Sequence, residues 1–99
     1  MTKKEAEDAL DAVRRGDLFL DFSAHFWQRV TERLPGFTRQ HVYHVVRTGE
    51  VIDAPVYSEK YNNHRIKIRT CVADFGIVEL VAGISWFDDA VCITIYGKN

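Results

Sequence analysis

Arg65-Ile66-Lys67-Ile68-Arg69 alternates a cation with an isoleucine at every step, and beyond the turn-prone Asp74-Phe75-Gly76 the chain runs almost wholly apolar from Ile77 to Trp86. Alternation with period 2 marks a strand with one buried face and one wet face, and a continuous apolar run marks a largely buried strand. Asp88-Asp89 reads as a second turn and Ala90 to Tyr96 as a final strand. Turns this short favour antiparallel hairpins over crossovers. In the last strand Ile93 and Ile95 alternate with Cys92, Thr94 and Tyr96, which predicts one aliphatic face and one carrying a hydroxyl and a phenol. Upstream, Val51-Ile52 opens a short strand before Pro55.

Before residue 50 the period is helical. Thr2-Lys3-Lys4-Glu5 has the T-x-x-E form of a capping box, and Ala6, Ala9, Leu10 and Val13 recur at helical spacing until Arg15-Gly16. This predicts a first helix over about 3–15, with a narrow, alanine-rich stripe suited to the periphery. Leu18 to Phe22 is too short to read as strand or connector. Ser23 is the expected N-cap of a second helix to about Arg33, with Phe26, Trp27, Val30 and Leu34 on one face, ended by Pro35-Gly36. Thr38 is the expected cap of a third helix to about Thr48, burying Val42, Val45 and Val46 and stopped by Gly49. The fold class is therefore α+β: about three helices packed on an antiparallel sheet of about four strands, in a single domain over 1–99.

Composition agrees with one packed core: 46% of the 99 residues are hydrophobic, with two prolines and six glycines. No apolar run is long enough to span a bilayer, and the charged start from Met1 to Arg15 lacks a signal-peptide stretch, so the expectation is a cytoplasmic protein with no membrane partner. Cys71 and Cys92 each lie in an apolar run without CxxC spacing and read as two buried, reduced thiols. The net charge of -1 hides an uneven distribution, because residues 60–70 carry four cations and no acid. A dedicated duplex binder is strongly basic overall, and this chain is not.

Three polar sets carry chemistry. His25, Arg29 and Arg33 at i, i+4 and i+8 form one stripe on the second helix, where guanidiniums can grip a phosphate and an imidazole can move a proton near neutral pH. The alternative is that His25 caps the helix while the arginines pair with Glu32, Asp21 or Glu50. Arg65, Lys67 and Arg69, flanked by Lys60 and His64, suit a phosphate backbone or else a charged edge strand that discourages aggregation. Tyr96 suits base stacking or proton donation, or is simply a strand-favouring aromatic. His41 and His44 lack further ligands in sequence, and Walker, G-x-S-x-G and H-E-x-x-H motifs are absent, so no metal or cofactor is expected.

The stretch from Phe22 to Arg33, with Ser23, His25, Arg29 and Arg33 in the order S-x-H-x-x-x-R-x-x-x-R, is followed by Gly49-Glu50-Val51 and closes on Thr94-Ile95-Tyr96. Over about residues 22–97 this resembles the domain-of-unknown-function family 4258, leaving residues 1–21 as an N-terminal helical extension. The resemblance implies a fold similar to the RelE and BrnT toxins, many of which are metal-independent ribonucleases of toxin-antitoxin systems. It carries over His25, Arg29, Arg33, Thr94 and Tyr96, while Glu79 stands where the family often has a second histidine. On that reading His25 or Glu79 is the base, Arg29 and Arg65 clamp phosphate, and Tyr96 is acid or stacking group. Arg33, Lys67, Arg69 and Thr94 complete the RNA contact. RNA or the ribosome, and an antitoxin, are the implied partners. The other reading is a non-catalytic binding or inhibitor protein of phage or mobile-element origin that grips a host protein.

Overall fold

In a computed structural model, which describes residues 1–85 and 90–97, helices α1 (Lys3–Arg15), α2 (Phe26–Arg33) and α3 (Arg39–Thr48) lie on one face of a six-stranded sheet. The strands are β1 (Leu20–Phe22), β2 (Glu50–Val51), β3 (Val56–Ser58), β4 (Asn63–Val72), β5 (Gly76–Ile84) and β6 (Ala90–Gly97). Their order is β1-β6-β5-β4-β2, with β3 also pairing with β4. The α+β class is as expected, and two features differ. The three-residue β1 and β3 give no periodic signal, and β1 runs parallel to β6, so the sheet is mixed rather than antiparallel. Trp86 and the expected Asp88-Asp89 turn lie outside the described residues.

α1 forms as its caps predict: the Thr2 hydroxyl accepts from the Glu5 amide at 3.1 Å, and Glu5 returns the contact to the Thr2 amide at 2.9 Å. Those bonds hold the Glu5 carboxyl below its ordinary pKa. Gly16 closes the helix at φ 81°, the left-handed conformation glycine tolerates. The helix is not peripheral. Ala6 and Leu10 are fully buried, and Arg14 donates to the carbonyls of Val46 at 2.8 Å and Gly49 at 2.5 Å. A small alanine stripe lets α1 sit close rather than far.

α3 begins at Thr38, whose hydroxyl caps the His41 amide while His41 Nδ1 accepts from the Thr38 amide at 2.8 Å. Gly49 ends it in extended rather than left-handed backbone (φ -77°), and a Cβ there would collide with Ile68 and the Val45 carbonyl. Close approach of helix end to sheet is thus what requires the glycine. Val42, Val45 and Val46 are buried, together with Ile66, Ile68, Leu80 and Ile95 from the sheet.

Along β4 the isoleucines are buried while Arg65, Lys67 and Arg69 lie on the opposite face. The simple alternation fails in β6. Ala82 pairs with Cys92 but Val81 pairs with Thr94, so Ile93 is an extra residue in a β-bulge. Cys92 and Ile95 both enter the core, and Thr94 and Tyr96 emerge on the open face. Cys92 is accordingly buried, but Cys71 is exposed on the open face, against the expectation of two buried thiols. No helix among the described residues is long and apolar enough to cross a membrane.

Candidate functional site

α2 packs against β6 at the sheet edge. Phe26, Val30 and Leu34 enter the core, with Phe26 in an aromatic cluster whose centroids lie 5.4 Å from Phe22 and 5.1 Å from Trp27. Ser23 does not cap the helix: His25 occupies that position and makes no side-chain cap. The Ser23 amide donates instead to the Cys92 carbonyl at 2.9 Å and its hydroxyl to the Ile93 carbonyl at 3.4 Å, which ties the start of α2 to the bulge.

That tether and the bulge together create a hollow of about 680 Å³. His25 and Arg29 line it from α2, Arg65 from β4, and Thr94 and Tyr96 from β6. Four of these, His25, Arg29, Arg65 and Tyr96, are the positions whose convergence the sequence reading requires, and they come from three separated segments. None of the described residues lining the hollow is a carboxylate. Among the described residues neither Arg29 nor Arg65 has an ion-pair partner, so the alternative in which Arg29 is neutralised by Asp21, Glu32 or Glu50 does not hold there.

The remaining predicted residues lie around the hollow rather than in it. Arg33, one turn beyond Arg29, donates to the Thr94 hydroxyl at 2.5 Å and the Ile95 carbonyl at 3.3 Å, and its guanidinium lies 4.3 Å from the Tyr96 ring centroid. It braces the two β6 side chains from α2. Lys67 is exposed between Arg65 and Arg69 on the same sheet face. Glu79 is only 3% exposed and accepts from Arg69 at 2.9 Å, so the acid sits beneath the cationic row and outside the lining.

Two residues that sequence reading passed over also line the hollow, Tyr61 and Asn63. Gly83 makes room for Asn63, because a Cβ at that glycine would stand 2.6 Å from Asn63 Nδ2. Asn63 Oδ1 and Arg65 Nε are buried with no hydrogen-bond partner. Each such group costs about 1–3 kcal/mol, a cost a polar ligand removes. Tyr61 was hidden by its place in the turn and Asn63 by standing at the very start of β4, before the alternation begins; the four-cation run around them was the available signal.

The arrangement can hold an anion between two guanidiniums and present an imidazole and a phenol beside it. Its donor set does not suit a hard cation such as Mg²⁺, which is bound through carboxylates. No group of three or more His, Cys, Asp or Glu among the described residues could hold a metal ion. Compared with known proteins, the chain matches no protein-family model, no curated protein and no solved structure.

Proposed function

We propose that this protein is a metal-independent endoribonuclease of the RelE/BrnT toxin type, cleaving RNA by attack of a ribose 2′-hydroxyl on its own phosphodiester. The observation that carries the reading is the convergence of His25, Arg29, Arg65 and Tyr96 on one hollow with no carboxylate among the described residues that line it. His25 takes the 2′-hydroxyl proton as the new O–P bond forms. Arg29 and Arg65 stabilise the charge gathering on the non-bridging oxygens, and Tyr96 supplies the proton to the departing 5′-oxygen as its bond to phosphorus breaks. The products are a 2′,3′-cyclic phosphate and a free 5′-hydroxyl. His25 rather than Glu79 has the role of base, because Glu79 is engaged by Arg69 beneath the row.

Purified protein incubated with RNA in the presence of a chelator, alone and with ribosomes, tests this. Cleavage leaving cyclic-phosphate ends, lost in His25→Ala and Arg29→Ala, is the expected result. No cleavage under either condition, together with no growth defect on expression, sinks it.

A second reading, a non-catalytic protein that grips a host protein, draws on one further observation. Phe19 is 70% exposed beside an apolar-lined hollow of about 430 Å³ between α1, β1 and α3, where Tyr43 also lies. Exposed aromatics around a concavity suit a protein partner. Affinity capture with wild type and with Phe19→Ser distinguishes the two: a partner lost with the variant supports binding through this face.

A further inference from the structure

Tyr61 stands in the hairpin between β3 and β4 and reaches the hollow with 57% of its surface exposed. Two cations lie beside its ring, Arg65 Cζ and Lys60 Nζ, each 5.1 Å from the centroid. The hairpin holding it is set by the Tyr57 hydroxyl, which donates to Asn62 Oδ1 at 2.5 Å, and by Asn62 in the left-handed region at φ 49°. Asparagine tolerates that backbone better than most residues, so the turn is local chemistry rather than strain. Tyr61 contributes nothing to the buried core.

The wall behind this ring contains the unpartnered acceptor and donor, Asn63 Oδ1 and Arg65 Nε. An exposed aromatic ring, a buried acceptor and donor, and two guanidiniums without an ion-pair partner among the described residues, all in one hollow, match the parts of a nucleotide. The base has a π-face and an edge carrying both donors and acceptors, and the phosphate carries the charge. In a duplex, stacking hides the faces and pairing occupies the edges.

We infer that Tyr61, Asn63 and Arg65 form a base-binding subsite, so that the substrate class is single-stranded RNA with one base stacked on Tyr61 and its phosphate held by Arg29 and Arg65. This rests on the ribonuclease reading and adds a specificity-determining residue to it. Tyr61 moves no proton; its contribution is base stacking, and it leaves inorganic phosphate binding untouched.

The test is equilibrium binding to a 2′-O-methyl RNA strand of about eight nucleotides, within the usual single-strand site range, which cannot be cleaved because the attacking hydroxyl is blocked. The same strand as a duplex and an abasic sugar-phosphate chain of equal length serve as comparison ligands. Tyr61→Ala is expected to weaken the single strand roughly tenfold to a hundredfold, the range of one lost base-aromatic stack. Tyr61→Trp is expected to retain wild-type affinity. The abasic chain should bind wild type at least as weakly as the intact strand binds Tyr61→Ala, because it also forfeits the base-edge contacts, and lose nothing further in that variant. Equal binding of the intact strand by wild type and Tyr61→Ala, or of the intact and abasic chains by wild type, overturns the inference. If Arg29→Ala weakens the strand and Tyr61→Ala does not, the base subsite alone falls. If wild type binds no RNA, the nucleolytic reading falls with it.

Discussion

Arg69 and Glu79 face each other as cross-strand partners of β4 and β5, with Nη2 2.9 Å from Oε2 and the acid almost wholly enclosed. The pair divides the cationic row by role. Arg69 is occupied in holding a buried carboxylate, whereas Arg65, four residue pairs along the same strand, has no such partner among the described residues. Replacing Arg69 by Ala should therefore cost about 1–3 kcal/mol of stability, the range for a charge-assisted hydrogen bond to a buried group, and change RNA affinity little. Arg65→Ala should do the reverse. Thermal melts and binding isotherms on both variants check the split, and a binding loss in Arg69→Ala as large as in Arg65→Ala contradicts it.

Binding should respond to salt in a way that counts the clamp. For single strands, log affinity falls against log salt with a slope of about -0.7 per neutralised phosphate. Arg29→Ala and Arg65→Ala should each make the slope shallower by about that amount. Arg33→Ala, acting through Thr94 and Tyr96, should lower affinity with the slope nearly unchanged. Titrations at several salt concentrations give the three slopes directly.

The bulge at Ile93 is what lets Thr94 and Tyr96 face the hollow while Cys92 and Ile95 remain in the core. Deleting Ile93 leaves Cys92, Thr94, Ile95 and Tyr96 opposite the same β5 residues in regular alternation, so each keeps its face, and what is lost is the carbonyl that accepts from the Ser23 hydroxyl. The deletion should keep a cooperative unfolding transition and weaken RNA binding. Ile93→Val, which keeps the residue count, should cost no more than about 1.5 kcal/mol. Urea denaturation and binding isotherms of the two variants separate the bulge from side-chain volume.

The two thiols should differ in chemistry. Burial, with a smaller effect from Asp21, pushes the Cys92 thiol up to about 12 from its ordinary 9.0. In native protein a brief alkylation should label Cys71 alone, with Cys92 reacting after denaturation. The folded state keeps the Cys92 proton above pH 9 while the unfolded state releases it, so stability should fall as pH rises from about 9 toward 12. Cys92→Ala should flatten that alkaline limb, as read from melts across the range.

Much of this architecture could be read from the chain because its signals are local. The Thr2–Glu5 and Thr38 caps, the valines of α3 and the alternating isoleucines of β4 each state their structure within a few residues. Ser23 misled because a serine before an amphipathic run is the normal cap, and only a strand seventy residues away offers it another acceptor. β1 was invisible for the same reason, since its three residues become a strand only through β6. The face of Cys92 was misread because a bulge breaks the period that alternation assumes. Of the site, the spacing of His25 and Arg29 was legible from helix geometry, but Tyr61 and Asn63 acquire their place through the pairing of β3, β4 and β5.

The Ser23 to Ile93 tether also orders events during synthesis. Its two ends are 70 residues apart, and at a translation rate of about 5–20 residues per second the first waits roughly 3–15 s for the second. Until then α2 has no sheet edge to rest on, and the imidazole of His25 has no phenol opposite. The whole stretch from His25 to Tyr96 must therefore be made before the hollow they both line can form.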